Sequence, residues 1–153
     1  MPTTTPKTVK KSTSTGLKVI PQSVRGMRDI TGDEYYYIQG FLEKAQEIAE
    51  YYGFKPIETP IMEQVEVFTT AIGAGTDVID KEMYTLKTKG GDHLALRPEH
   101  TAGTMRAYLE HGMQSLPQPV VTHHSGPVSR HQNPQKGRYR QITATDSDVN
   151  GTE

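Results

Sequence analysis

The 153-residue chain contains no cysteine, which excludes disulfides, thiolate metal ligands and a cysteine nucleophile. Apolar residues make up only 33% of it. A modest core is expected, with part of the chain outside that core. No apolar run approaches the length of a transmembrane helix. Residues 1–28 lack the apolar centre of a secretory signal, so the expectation is a cytoplasmic protein with no membrane partner. Acid is also missing from residues 1–28. Lys7, Lys10, Lys11, Lys18, Arg25 and Arg28 give that stretch a charge of +6 within a chain of net charge −1, leaving −7 for the rest. Residues 1–16 are mostly Thr, Ser, Lys and Pro and cannot bury enough apolar surface to fold. The reading is a disordered basic tail over residues 1–22 and one domain over 23–153. Such a tail can touch nucleic acid electrostatically or simply be solvated.

What is present reads as alternating helices and short strands. Residues 33–52 carry Tyr37, Ile38, Phe41, Leu42, Ala45, Ile48, Ala49 and Tyr52 at a 3.6-residue period, the mark of an amphipathic helix. Thr31 or Asp33 can cap it, and Gly53 suits the left-handed position that ends a helix. Residues 54–63 contain Pro56 and Pro60, which suits an edge or interface strand rather than a central one. A short helix over 64–72 is expected to break at Gly73-Ala74-Gly75. That run lacks the full phosphate-loop pattern and reads as a turn. Residues 83–87 and 93–96 should pair around Lys89-Gly90-Gly91-Asp92. A helix is expected over 99–111 with Ala102, Met105, Ala107, Tyr108 and Leu109 on its apolar side. Residues 117–119 read as a linker.

The densest motif is Arg130-His131-Gln132-Asn133-Pro134-Gln135-Lys136-Gly137-Arg138-Tyr139-Arg140-Gln141. Pro134 and Gly137 force a loop, and residues 119–132 and 138–149 can extend from it as hairpin arms. Four cations, Arg130, Lys136, Arg138 and Arg140, surround the loop. Arginine's planar fork makes bidentate bonds to phosphate oxygens, so the loop is a candidate polyphosphate grip. A solvated basic loop is the plainer alternative. The arms themselves are poorly written for strands, since 143–150 (Thr-Ala-Thr-Asp-Ser-Asp-Val-Asn) has almost no apolar face and Asp and Asn are disfavoured in sheets. His123, His124 and His131 lack metal-ligand spacing, so no metal site is expected. Tyr35-Tyr36-Tyr37 reads as helix packing and surface.

Four stretches together resemble the histidyl-tRNA synthetase family, which is of class II. They are Arg25-Gly26-Met27-Arg28-Asp29, residues 54–63, Leu96-Arg97-Pro98-Glu99-His100-Thr101-Ala102-Gly103, and residues 126–141. The resemblance covers about residues 24–151. It implies an α+β fold, an antiparallel sheet flanked by helices, in truncated form. It also implies ATP-dependent conversion of histidine to histidyl-adenylate and transfer to tRNA(His). The helix at 33–52 and the strand through Pro60 look like motif 1, which would support a homodimer through residues 33–63. The loop looks like motif 2. Arg130 would then be catalytic at the ATP α-phosphate, with Arg138 on the β- and γ-phosphates and Mg2+ as counter-ion. Glu99 and Thr101 would hold the amino group of histidine, and the acceptor end of tRNA(His) would be the second substrate.

The chain departs from the family pattern beside that motif. Ser129 replaces an aromatic, Gln132 replaces an acid that helps read adenine or the tRNA end, and Ile142 stands where an aromatic stacks on adenine. Ala144 replaces a glutamine that contacts histidine, and Asp148 replaces a substrate-side glutamate. Motif 3 and the anticodon-binding domain fall outside these residues. Polar side chains at His123, Ser125, Ser129, Thr143, Thr145, Ser147 and Asn150 are what a solubilised fragment needs. Hence the expectation of an engineered or reduced core, with a natural truncated reading frame as the competing origin. Two other functional classes stay open. One is a catalytically inactive regulatory paralogue of histidine biosynthesis; the other is a dimerisation or tRNA-acceptor-binding module.

Overall fold

A computed structural model describes residues 20–72 and 82–151. Most of the expected tail, and Gly73-Ala74-Gly75, lie outside the described residues. The first helix, α1, is Asp33–Tyr51, and Gly53 beyond it takes φ 87°. Neither Thr31 nor Asp33 caps it. Gly32 holds the N-cap position at φ 63°, without a side-chain hydrogen bond, a conformation glycine adopts at little cost. Residues 54–63 do not form one strand. They split into β1 (Lys55–Pro56) and β2 (Met62–Gln64), because Pro60 supplies no N–H between them. There follow α2 (Val65–Ile72), β3 (Thr85–Lys87), β4 (His93–Leu96), α3 (Thr101–Glu110), β5 (Val120–Ser129) and β6 (Gln141–Asn150).

Two three-stranded sheets result, in the orders β1-β5-β6 and β2-β4-β3. The expected α+β arrangement of antiparallel sheet and flanking helices is present, with one exception. β1 runs parallel to β5, Lys55 beside Thr122 and Pro56 beside His123. The β3–β4 hairpin closes as expected, with Thr88 Oγ1 2.6 Å from Asp92 Oδ2 across the turn. Phe68 of α2 is fully buried against Ala95 of β4 and Ala102 of α3, and Val65, Val67 and Met83 pack around them. Arg106 of α3 is ion-paired to Glu63 of β2, which ties that helix to the sheet. On α3 itself Ala102, Gly103, Thr104, Ala107 and Tyr108 are buried, whereas Met105 and Leu109 face solvent.

The polar arms form the longest strands in the described chain. β5 and β6 pair over ten positions, from Val120 opposite Asn150 to Ser129 opposite Gln141. Cross-strand side-chain bonds offset the weak propensity. Ser125 Oγ donates to Thr145 Oγ1 at 3.0 Å, and His123 Nδ1 lies 3.3 Å from Ser147 Oγ. Such pairs stabilise a sheet by roughly 0.2–1 kcal/mol each. Burial also corrects the solubilisation idea. His123, Ser129 and Asn150 are buried, Ser125 and Thr145 are half-buried, and only Thr143 and Ser147 are exposed.

α1 lies over the sheet face that carries His123, Thr145 and Ser147. These short or polar side chains do not fill the space below the helix. A groove of about 510 Å³ runs between them and Phe41, Ala45, Ile48 and Tyr52. Only Ala49 of α1 is fully buried, and Tyr37 stays 78% exposed, so much of the periodic apolar stripe packs on nothing among the described residues.

Candidate active site

The cationic loop is held at its base by backbone contacts to the segment before α3. Ser129 N donates to Arg97 O at 2.9 Å, and the Arg130 guanidinium donates through Nε to Pro98 O, also at 2.9 Å. Arg130 is thereby held next to the Pro98-Glu99 segment, half-buried, with no other side-chain hydrogen bond from its fork among the described residues. Glu99 Oε1 accepts from Ala102 N at 2.9 Å, so this carboxylate satisfies an orphan donor at the start of α3. The helix begins at Thr101 rather than at Glu99, with His100 at the N-cap position. Thr101 is exposed at the first helical position.

The four loop cations do not act alike. Arg140 is a strap. Its backbone N donates to Gly26 O at 2.7 Å, its Nε to Gln132 O at 3.0 Å and its Nη1 to Arg25 O at 3.2 Å. Those bonds take Arg140 out of any phosphate grip and pin the loop to residues 25–26. Lys136 and Arg138 are exposed around Gly137, which takes φ 82° in the turn closed by Arg138 N and Gln135 O at 2.9 Å. Gln132 is half-buried, and its Nε2 donates to Glu82 Oε2 at 3.2 Å. Tyr139 packs under Arg28, whose Cζ lies 4.7 Å from the ring centroid. Arg28 is in turn ion-paired with Glu34. Arg140→Ala should speed tryptic cleavage after Lys136 and Arg138 by about tenfold, the equivalent of roughly 1.4 kcal/mol of lost hydrogen bonding. An unchanged rate would show that the strap does not hold the loop.

Ile142 and Asp148 lie far apart. Ile142, 42% exposed, sits opposite Val128 near the loop, in a cleft with Arg28 and Tyr139. Asp148, half-buried, sits opposite Thr122. They are six positions apart, about 20 Å along an extended strand. The structure thus joins Arg130, Glu99 and Thr101 at one end of the hairpin, and leaves Ile142 and Asp148 along β6.

Between those points lies a cluster that sequence reasoning did not assemble. The Arg97 guanidinium is buried and donates through Nε to Pro127 O at 2.7 Å and through Nη1 to Thr59 O at 2.9 Å. Burial lowers its pKa, and Glu58 opposes that shift. Its Nη1 also lies 3.2 Å from His124 Nε2. Guanidinium can only donate, so His124 Nε2 accepts and the ring proton resides on Nδ1. His100 stacks on His124 with centroids 4.1 Å apart and planes 13° from parallel. His100 Nδ1 is 2.9 Å from Asp146 Oδ2, but neither ring nitrogen of His100 makes an aligned hydrogen bond. Burial pushes both histidines down to about 4, and neighbouring positive charge adds to it. A Cβ at Gly126 would stand 2.6 Å from Arg97 Nη2, so any side chain there would have to displace the guanidinium. Counting hairpin register outward from the loop pairs His124 with Asp146. That was the available signal for half of the cluster; the approach of His100 and Arg97 from β4 and α3 has no local signature. His123 points to the opposite face, as strand alternation requires. No group of three His, Asp or Glu side chains among the described residues could hold a metal.

Comparison with known proteins identifies the family of the chain. The profile of the family described as Histidyl-tRNA synthetase matches residues 26–145. Histidine–tRNA ligase of Thermus thermophilus is 44% identical over 132 residues, covering 86% of this chain and 31% of the relative. The enzyme of the same name from Dehalococcoides mccartyi is 45% identical over 120 residues, 78% of this chain and 29% of the relative. The crystal structure of apo S. aureus histidyl-tRNA synthetase superposes with a TM-score of 0.68 at 31% identity, over 82% of this chain and 28% of that one. An ATP phosphoribosyltransferase regulatory subunit/histidyl-tRNA synthetase from Bacillus halodurans shares the fold, with TM-score 0.65 at 23% identity over 78% of this chain and 30% of its own. The chain spans about three-tenths of the length of the curated relatives it matches. It belongs to the histidyl-tRNA synthetase family.

Proposed function

We propose that this chain is the part of a histidine–tRNA ligase that binds ATP and histidine, forms histidyl-adenylate and presents it to the acceptor end of tRNA(His). The observation that carries this reading is the clamp of Arg130 onto Pro98, beside Glu99 and Thr101. It sets a phosphate-binding cation next to a carboxylate and a hydroxyl suited to an ammonium group. In the reaction a carboxylate oxygen of histidine bonds to the α-phosphorus, and the bond from that phosphorus to the β-bridging oxygen breaks. Pyrophosphate leaves with the electron pair. Arg130 stabilises charge on the α-phosphate as it develops, Arg138 from the exposed tip reaches the outer phosphates, and Ile142 offers adenine an apolar surface. Glu99 and Thr101 hold the amino group, and Asp148 lies on the amino-acid side. Positioning and charge neutralisation account for the chemistry. Mg2+ entering with ATP would neutralise phosphate charge; the loop itself offers cations rather than a set of metal ligands. The apolar stripe of α1 is the surface that a homodimer through residues 33–63 would cover.

Histidine-dependent exchange of pyrophosphate into ATP tests the proposal. The unmodified chain should exchange, and Arg130→Ala should lower the rate about 100-fold, the scale of losing one transition-state donor. Equal rates in both would remove Arg130 from the mechanism. Ala144 favours a second reading. It lies on the same sheet face as Asp146 and Asp148 and offers a ligand no hydrogen bond, as a regulatory relative without catalysis would allow. Histidine binding with no exchange would select that reading.

A further inference from the structure

Ala144, Asp146 and Asp148 alternate along β6 and share one face of the sheet with His124 and Gly126 of β5. The chain segment that crosses this face is Glu99-His100-Thr101, and the middle side chain goes inward. His100 is fully buried between the His124 ring and the Asp146 carboxylate. The slot it fills is flat, aromatic on one side, with a carboxylate at its edge and the Arg97 guanidinium behind His124. Those surroundings are what an imidazole ring requires. Yet His100 uses them badly. Its Nδ1 lies 2.9 Å from Asp146 Oδ2 but out of line for a hydrogen bond, and neither its Nε2 nor His124 Nδ1 has a hydrogen-bond partner among the described residues, so buried polar groups are left unsatisfied. A side chain present only for packing would be apolar at that position.

We propose that His100 is a built-in occupant of the amino-acid subsite: its imidazole fills the slot between His124 and Asp146 that the side chain of a free histidine would take. Access then requires His100 to swing out, and His100 competes with the ligand for the place. The proposal rests on the histidine-activating reading above for the identity of the ligand. The slot itself stands on geometry alone.

The test is replacement of the occupant. His100→Gly removes the ring at a helix N-cap, where glycine is well tolerated. Imidazole and histidine are titrated separately into the unmodified chain and the variant, with amide chemical shifts of Gly126, His124 and Asp146 as the readout. The expected result is saturable binding of both compounds to His100→Gly, at least tenfold tighter than to the unmodified chain. Equal affinities in the two proteins, or no binding to a variant whose spectrum remains folded, would overturn the proposal. Imidazole binding without histidine binding would overturn the assignment of the slot to the amino acid. If the glycine variant does not fold, His100→Ala is read by the same criteria. Histidine binding to the variant with no pyrophosphate exchange in either protein would reject ligase activity and leave the slot in place.

Discussion

Arg97→Ala should destabilise the fold by about 3–5 kcal/mol, read as a drop in the urea midpoint at constant slope. The guanidinium bridges three parts of the chain. It satisfies Thr59 O ahead of β2 and Pro127 O on β5, and it supplies the donor facing His124 Nε2. Truncation leaves two backbone carbonyls and a ring nitrogen buried without donors, each costing roughly 1–3 kcal/mol, and opens a cavity over Gly126. Against a total stability of about 5–15 kcal/mol for a domain this size, the variant should sit near its unfolding threshold. Arg97→Lys should fall between the two, because an ammonium cannot span both carbonyls as the fork does. A midpoint unchanged by Arg97→Ala would mean that the two sheets are held together elsewhere.

Acid should unfold the protein in a window set by the stacked histidines. Both have folded pKa values near 4, against about 6.5 in an unfolded chain. The unfolded state therefore binds more protons between those values, and stability falls as pH drops through the window. The contribution is complete above about 6.5, declines towards 4 and is lost below that. At pH 5 the expected loss is about 2 kcal/mol per histidine. Geometry gives the reason. Protonated His124 would turn an N–H against the Arg97 donor, and protonated His100 would bury a charge close to the Arg97 guanidinium. Glu58 and Asp146 oppose the shift at His124 but do not overcome burial. Urea midpoints at pH 7.5, 6 and 5 would show the slope, and a His100→Ala/His124→Ala variant should flatten it. A midpoint independent of pH over that range in the unmodified protein would contradict the cluster as described.

Much of this was legible in local pattern. The apolar period of α1, the Gly-Gly turn between β3 and β4, and the Pro134–Gly137 loop each have a single local solution. Strand propensity misled at β5 and β6, because ten paired positions and a ladder of hydroxyl and imidazole contacts outweigh the preferences of single residues. The motif residues were legible as types, but not their division of labour. Arg140 reads as a phosphate ligand in sequence and is a strap, because its partners lie at Arg25 and Gly26, more than 110 residues away. His100 sits between Glu99 and Thr101, whose residue types alone suggest a ligand. Nothing local shows that its side chain turns inward onto a strand that begins twenty residues later.

The outermost strand, β6, presents one long border with no neighbour among the described residues. Such a border is a template on which another chain can grow a fibril. The residues that make β6 look unlike a strand serve as its guard. Asp146 and Asp148 would place carboxylate over carboxylate in any parallel, in-register stack of copies. The same two acids that weaken the strand in isolation oppose such stacking by like-charge repulsion, and neutralising both to Asn should raise the fraction of protein that sediments from a concentrated sample.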